Sequence, residues 1–417
     1  MKRAFTFVIL CILSATWCTA QTAPSCATDQ YRLRYRQQYP QFEQQALDIE
    51  KATRAWITNY PDHLQTRSLI TIPVVVHVVY REEPQNISQE QILSQLEVLN
   101  ADYRATNTNQ DIIPPLFQGL VADLEIEFCL ATRDPQGNFT TGITRTQTPI
   151  DNIGLDAEVH YSDSGGMDAW DPLHYLNIWV ADMGDNVVGR ATFPGQAPLA
   201  EDGVVIDPRY FGTLGLAAGS DPYHLGRTTV HEVGHYFNLF HPWGTGLPSC
   251  DGDDEVEDTP TTSNNYLQEC PSSLQASCGS LDMYTNFMYY TNDACLAQFT
   301  PGQKLRVLAT LNGARAGLKE SQGCEPSGVE MGGSEAFELL IYPNPTQGQV
   351  VLEVRGNVGG TGQLSLHDPI GRIVWEEKIP TQREITIYPF EALPDGVYFA
   401  VFRLDDDVVT RKLIILR

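Results

Sequence analysis

The sequence has little positive charge and a single long apolar run. Its 27 lysines and arginines face 52 aspartates and glutamates, which gives a formal net charge of −25 and a pI of about 4.6. This balance argues against a nucleic-acid partner, because phosphate backbones bind cationic surfaces. Solubility is the simplest explanation for the acidity. Beyond the N-terminus no segment is long and apolar enough to cross a membrane.

The apolar run follows Lys2 and Arg3 and ends in small residues near Thr19 and Ala20. This is the pattern of a secretory signal peptide, which we place at residues 1–20. No lipid anchor is expected, because bulky residues precede both cysteines of this segment. The chain is therefore predicted to be exported.

Cysteine is scarce and odd in number once the predicted signal peptide is removed. Seven of the nine cysteines remain. An exported protein meets an oxidising compartment that favours disulfides, so one thiol is expected to stay unpaired. The remaining cysteines are Cys26, Cys129, Cys250, Cys270, Cys278, Cys295 and Cys324.

The texture of the chain predicts three folded parts. Residues 21–67 are rich in Gln, Arg and Tyr, and Phe42, Ile49 and Trp56 recur at helical spacing. From residue 68 to 324, β-branched strands alternate with helices, one of which opens with a Ser88–Gln91 capping box. This mixture predicts an α/β (α+β) fold with a twisted mixed sheet.

The last part is predicted to be all β. Residues 325–336 have the composition of a linker, and residues 337–417 contain six short strand patterns separated by Gly, Pro and Asp turns. About 80 residues of this kind fit a small β-sandwich.

A histidine-rich stretch, "HEVGHYFNLFH", carries the strongest chemical signal. On a helix, His231 and His235 share one face, and Glu232 lies beside them. His241 can reach the same ion only if the chain turns sharply after the helix. Asn238 stands where such a turn needs a left-handed residue, and asparagine tolerates that conformation.

Three histidines leave one zinc position open, which is typical of a catalytic site. Zinc would activate a water molecule and polarise the scissile carbonyl. Glu232 would then act as the general base and pass the proton to the leaving amine. The alternative is a buried helix with core histidines. Another alternative is a zinc peptidase with a distant glutamate as third ligand, which His241 makes unnecessary.

The stretch resembles the elongated zinc motif of metzincin peptidases. Downstream, "TNFMYYTND" is similar to their methionine turn, which implies that Met288 lies beneath the zinc and that Tyr290 stabilises the oxyanion. The phrases "HPWG", "DTP", "NFMYY" and "QFTPGQ" are similar to the pappalysins, particularly their cytophagalysin-like branch. This resemblance covers about residues 26–320.

The pappalysin resemblance implies structural calcium in "CDGDDEVEDTP", with Asp254, Glu257, Asp258 and Thr259 as candidate ligands. A solvated acidic loop is the alternative.

The resemblance also suggests two disulfides, Cys250–Cys278 and Cys270–Cys295, although the sequence alone permits other pairings. Cys129 and Cys324 form a candidate third pair, which would leave Cys26.

Cys26 stands at the head of residues 21–67, which we interpret as a propeptide. Its thiolate could fill the open zinc position and hold the enzyme latent until cleavage near Arg67–Ser68. Prosegments of the family often carry Cys-Gly here, whereas this chain has Cys26-Ala27. A disulfide partner or an unpaired bystander is the alternative.

Asp293 could place a carboxylate in the pocket for the residue after the scissile bond and so favour basic side chains. A turn-capping aspartate is an equally good interpretation.

His77, within a β-branched strand, is predicted to be a packed core residue rather than a metal ligand.

The C-terminal part resembles the sorting domains of the type IX secretion system, through "YPNPTQG" from Tyr342 to Gly348 and a basic ending. This resemblance implies transport across the outer membrane to the cell surface or the medium. A carbohydrate-binding module is the alternative for the sandwich.

For the whole chain the sequence thus predicts a secreted, latent zinc endopeptidase acting on proteins or peptides. An inactive surface adhesin with a protease fold is the alternative.

Overall fold

The computed structural model describes most of the chain after the predicted signal peptide. The described residues are 25–59, 69–138, 140–324, 337–344, 346, 349–356, 360–367, 373–380, 386–390, 393–394, 396–404 and 407–415. The predicted signal peptide, the predicted linker and the predicted cleavage point Arg67–Ser68 lie outside them. No helix within these ranges is long and apolar enough to span a membrane.

The N-terminal segment (residues 25–59) begins with a short strand and continues as two helices. These are β1 (Ser25–Cys26), α1 (Thr28–Gln38) and α2 (Gln41–Asn59). Helix α2 confirms the helical spacing predicted around Phe42, Ile49 and Trp56.

A mixed sheet forms the centre of the next part, the central domain (residues 69–324). Its strand order is β1-β6-β7-β5-β2-β3. Strand β3 pairs with the first part of β2, and β4 pairs with the part of β2 that follows. All neighbouring strands are parallel except β6 and β7. The predicted mixed sheet is confirmed. The strands of the central domain are β2 (Ile70–Tyr80), β3 (Ile126–Leu130), β4 (Ile143–Gln147), β5 (Leu176–Ala181), β6 (Val187–Ala191) and β7 (Val204–Ile206).

Three helices pack around this sheet: α3 (Gln89–Tyr103), α4 (Arg227–Tyr236) and α5 (Pro301–Leu311). Ser88 caps α3 by accepting from the Gln91 backbone. The predicted reciprocal bond is absent, because Gln91 Oε1 accepts from Leu216 N at 3.2 Å instead, while Nε2 donates to the carbonyls of Pro208 and Phe211. A two-stranded ribbon, β8 (Ala276–Ser277) with β9 (Ser280–Leu281), lies in the loop region after α4.

His77 occupies the middle of the central strand β2 and is fully buried, which confirms its prediction as a core residue. Its Nδ1 lies 2.8 Å from Thr144 Oγ1 and its Nε2 lies 3.0 Å from Asn177 Oδ1. Burial lowers the pKa of His77 to about 4.

The C-terminal region contains two antiparallel sheets, β10-β11-β14 and β13-β12-β15-β16. Leu339 and Leu352 from the first sheet share one core cluster with Leu364 and Phe402 from the second, which is the arrangement of the predicted sandwich. Strand β10 was not among the predicted strands. The strands are β10 (Phe337–Tyr342), β11 (Gln349–Gly356), β12 (Thr361–His367), β13 (Ile373–Pro380), β14 (Thr386–Pro389), β15 (Gly396–Leu404) and β16 (Asp407–Ile415).

Candidate active site

Helix α4 carries two of the candidate ligands, and its residues are all buried. Its N-terminus is held by Asp293, whose Oδ2 accepts from the backbone nitrogens of Leu225 and Arg227 at 2.9 and 3.2 Å. The helix ends at Tyr236, and Asn238 has a φ of 71°. The predicted left-handed turn is therefore confirmed, and it brings the chain back toward the helix.

This turn brings three imidazoles together. His241 Nε2 lies 3.1 Å from His235 Nε2 and 3.3 Å from His231 Nε2. Nitrogens that converge in this way fit a metal site better than a chain of ordinary hydrogen bonds, because a hydrogen bond between neutral imidazoles needs a donor nitrogen facing an acceptor nitrogen.

The other ring nitrogen of each histidine has an acceptor partner. His231 Nδ1 donates to Phe287 O at 2.8 Å, and His235 Nδ1 donates to Leu239 O at 2.7 Å. These bonds fix the tautomer and direct the Nε2 lone pairs to one point, as is usual for metal-binding histidines. Burial, together with the neighbouring His241, lowers the pKa of His231 to about 3, so that the imidazole stays neutral.

Cys26 of the N-terminal segment completes the cluster. The ligand atoms of Cys26, His231, His235 and His241 lie within 4.8 Å of one another, the single such group of three or more His, Cys, Asp or Glu in the part of the chain that the structure describes. Cys26 is also the unpaired thiol, and burial raises its pKa. Three nitrogens and a sulfur at this spacing fit zinc, which takes four such ligands.

Glu232 lies beside this cluster and contacts the same segment. Its Oε2 accepts from Thr28 Oγ1 at 2.6 Å, while Oε1 has no hydrogen-bond partner among the described residues. Burial raises the pKa of Glu232 to about 7, despite the opposing effect of the Thr28 hydrogen bond. A carboxyl that titrates near neutrality is suited to general acid–base catalysis.

Asp29, the next residue of the segment, contacts the third histidine. Its Oδ2 lies 3.1 Å from His241 Nδ1 and accepts from Gly246 N at 3.1 Å. The hydrogen bond from His241 lowers the pKa of Asp29 against the effect of its burial. Sequence reasoning missed Thr28 and Asp29, although they lie only two and three residues after Cys26.

Met288 and Tyr290 lie where the metzincin resemblance implied. A Cβ atom placed on Gly234 would be 2.6 Å from Met288 Sδ, so the methionine packs directly beneath α4. The Tyr290 ring centroid is 5.6 Å from that of His231 and 5.0 Å from that of His241. Desolvation raises the pKa of the Tyr290 phenol, which therefore keeps its proton.

Asp293 is buried and lines a small cavity next to the histidines, together with Tyr223, Leu296 and Tyr290. Burial raises its pKa to about 6. The structure thus gives Asp293 a capping contact at α4 as well as a place in the pocket wall, so that both interpretations stay open.

The four candidate calcium ligands do not gather around one point. Thr259 Oγ1 donates to Asp254 Oδ2 at 2.6 Å, and both are buried. Asp258 instead accepts from Thr300 Oγ1 and Gly302 N at the start of α5, and Glu257 is exposed. The described arrangement does not fit a formed calcium site, and calcium binding stays a prediction.

Three disulfides link segments of the central domain. Cys250–Cys278 and Cys270–Cys295 confirm the pairings that the resemblance suggested, and Cys129–Cys324 confirms the third. The first two lie in the loops between α4 and α5, and Cys295 is in the turn that positions Asp293.

Comparison with known proteins agrees with this geometry. Residues 160–312 match the peptidase family described as pregnancy-associated plasma protein-A. Promirolysin of Tannerella forsythia is 39% identical, with a TM-score of 0.62 over 71% of this chain and 97% of that one. The chain belongs to the pappalysin family of metzincin metalloproteases.

Two further relatives are consistent with this family assignment. Mature mirolysin of the same organism, solved with a cleaved peptide, is 42% identical over 63% of this chain and all of that one, with a TM-score of 0.58. An extracellular metalloprotease of Arthroderma benhamiae is 28% identical over 60% of this chain and 80% of its own length.

Residues 340–416 match the secretion system C-terminal sorting domain. The type IX sorting tail is thus confirmed, and the protein is secreted or at the cell surface. Within the tail, Asn344 of the "YPNP" phrase donates to Lys412 O at 2.7 Å and accepts from Ile414 N at 2.8 Å. This residue therefore ties the motif to the last strand.

Proposed function

We propose that this metalloprotease is a zinc-dependent endopeptidase made as a latent proenzyme. The observation that supports this best is that one segment, Cys26 to Asp29, contacts both the histidine cluster and Glu232. A metal site with an acid–base carboxyl supports catalysis, and a segment seated on both of them supports latency.

His231, His235 and His241 would hold the zinc ion. Bound zinc supplies Lewis acidity and lowers the pKa of a coordinated water toward about 7. Glu232 takes the proton from the attacking water and delivers it to the leaving amine. Tyr290 donates a hydrogen bond to the oxygen of the former carbonyl group, where negative charge develops.

Latency follows from how residues 21–67 would act as a propeptide. Ser25 and Cys26 pair in parallel with Val187 and Gly189 of β6, which would be the edge strand of the sheet without β1. An exposed edge strand is a natural binding site for an extended peptide. A propeptide strand on β6 therefore excludes a substrate strand from the same place.

The test compares the full chain with its Glu232→Ala variant before and after removal of the propeptide. Hydrolysis of a denatured protein is expected only from the processed, intact enzyme, and a zinc chelator should abolish it. Zinc content and circular dichroism serve as controls that the variant is folded and loaded. Equal, negligible hydrolysis by both folded, zinc-loaded proteins would contradict the proposal and leave the adhesin alternative.

A further inference from the structure

Arg32 of helix α1 places its guanidinium against two adjacent aromatic rings of the central domain. Its Cζ lies 5.0 Å from the Phe193 ring centroid and 5.1 Å from the Phe240 ring centroid. Its Nε donates to Gln196 Oε1 at 2.9 Å. We name Phe193, Gln196 and Phe240 the aromatic cradle. Cation–π contact with a hydrogen bond is a specific way to hold an arginine.

The aromatic cradle lies next to the histidine cluster, and acidic residues line the cavity beside it. The Phe193 ring centroid is 5.3 Å from that of His235. The neighbouring cavity has a volume of about 430 Å³, and its described lining from the central domain includes three acids but no lysine or arginine. These acids are Asp251, Asp253 and Glu255.

The N-terminal segment places cationic side chains near these three acids. Arg32 and Arg36 line the same cavity, and Arg54 Nη2 lies 2.9 Å from Glu255 Oε1. One cation of the central domain, Arg306, also lies against the Phe240 ring, with its Cζ 4.7 Å from the ring centroid. Its Nε donates to Asn238 O, and its Nη1 and Nη2 donate to Glu50 of the N-terminal segment. The three carboxylates outweigh this single charge, so the surface favours a basic occupant.

The path of the chain places the cradle relative to Asp293. From Ser25 the segment runs along β6 from Val187 toward Ala191, whose backbone nitrogen donates to Thr28 Oγ1 at 2.8 Å. Ser25 and Cys26 share a cavity with Asp293, whereas Phe193 lies beyond the other end of β6. The cradle and Asp293 are therefore on opposite sides of the histidines.

We propose that the aromatic cradle, once the N-terminal segment has left, is a specificity subsite for an arginine side chain of the substrate. This inference rests on the proposed peptidase function. The sequence predicts that Asp293 faces the residue after the cut, and on that prediction the cradle faces residues before it. Arg32 is on the order of 10 Å along the cleft from Cys26, which an extended peptide spans in about three residues.

The first test measures binding and does not depend on catalysis. Synthetic peptides of residues 25–38 are titrated by calorimetry into the Glu232→Ala protein after proteolytic removal of its N-terminal segment. Arg32→Gln in the peptide is expected to weaken binding about tenfold. Arg34→Gln is the charge-matched control, because the Arg34 side chain is 57% exposed, and it should change binding less than about twofold. Equal effects of the two substitutions would overturn the proposal.

The second test measures kcat/KM for peptides that differ only by Arg or Gln at the second and third residues before the cut. The processed enzyme is expected to prefer arginine about tenfold at one of these positions, and Phe240→Leu should reduce that preference to about twofold. No preference in the intact enzyme would overturn the subsite. Cleavage of neither peptide would instead contradict the proposed peptidase function, and the calorimetric comparison would still decide on the cradle.

Discussion

Thr28 donates its hydroxyl hydrogen to the Glu232 carboxylate across 2.6 Å, although 204 positions separate the two residues in the chain. The same hydroxyl oxygen accepts from Ala191 N on the edge strand β6 at 2.8 Å. One side chain of the N-terminal segment therefore engages both the candidate general base and the candidate substrate-binding strand. The proposed latency thus involves more than the Cys26 thiol.

Thr28→Val should weaken latency, because it leaves the buried Glu232 carboxylate without its donor. Loss of one such bond is expected to destabilise the closed state by about 1–3 kcal/mol. The measurement is the peptidase activity of the unprocessed full chain, which should rise about fivefold or more. Thr28→Ser keeps the hydroxyl and should behave as the native chain. Equal activity of the two variants would show that this bond does not contribute to latency.

Glu50→Gln should loosen helix α2 from the central domain. Its carboxylate accepts from Arg306 Nη1 and Nη2 at 3.0 and 2.6 Å, and the Arg306 side chain is almost fully buried. A two-pronged ion pair with a buried partner is worth more than a surface pair. Limited proteolysis should remove the N-terminal segment faster from Glu50→Gln than from Glu43→Gln, which affects only the more exposed pair with Arg36. Equal rates would contradict this anchoring role.

Asp293→Asn should remove a preference for basic residues after the cut, if Asp293 faces that pocket as the sequence predicts. Asparagine keeps an acceptor oxygen for the nitrogens of Leu225 and Arg227, so α4 should retain its capping contact. The measurement is the ratio of kcat/KM values for peptides with Arg or Leu at that position.

The same ratio should depend on pH in the unmodified enzyme. Burial raises the pKa of Asp293 to about 6, so the carboxyl becomes neutral, and loses its attraction for a cation, as the pH falls through that value. The preference for Arg should therefore decrease below pH 6, and changes elsewhere in the site cancel in the ratio. A constant ratio in both experiments would favour a purely capping role.

His77 should make the folded protein less stable in acid. Its pKa is lowered from 6.5 to about 4 by burial, so the unfolded chain binds the proton more readily than the folded one. The stability contributed by the neutral ring is complete above pH 6.5 and is lost as the pH falls through 4, up to about 3 kcal/mol. Denaturant titrations at several pH values should show a shallower dependence for His77→Gln. An unchanged slope would contradict this linkage.

The histidine motif could be predicted from the sequence because its geometry is local. Helical periodicity places His231 and His235 on one face, and Asn238 indicates the turn that returns His241. The fold class followed from strand and helix patterns for the same reason.

The contacts of the N-terminal segment could not be predicted in this way. Thr28 and Asp29 reach Glu232 and His241 only because β1 adds to the sheet edge at β6, a pairing between distant parts of the chain. The register of such a two-residue strand leaves no periodic signal. The Gln91 side chain likewise accepts from the distant Leu216 N in place of its predicted local donor and donates to two distant carbonyls, because tertiary contacts outweigh the local preference.

The account depends most on zinc being held by three histidines and capped by Cys26. Zinc-edge X-ray absorption of the purified full chain tests this directly, before and after removal of the N-terminal segment. The unprocessed chain should contain one zinc with three nitrogens and a sulfur at about 2.3 Å, and the sulfur should be replaced by oxygen after processing. A shell of nitrogen and oxygen alone in the unprocessed chain, or no bound zinc, would contradict the account.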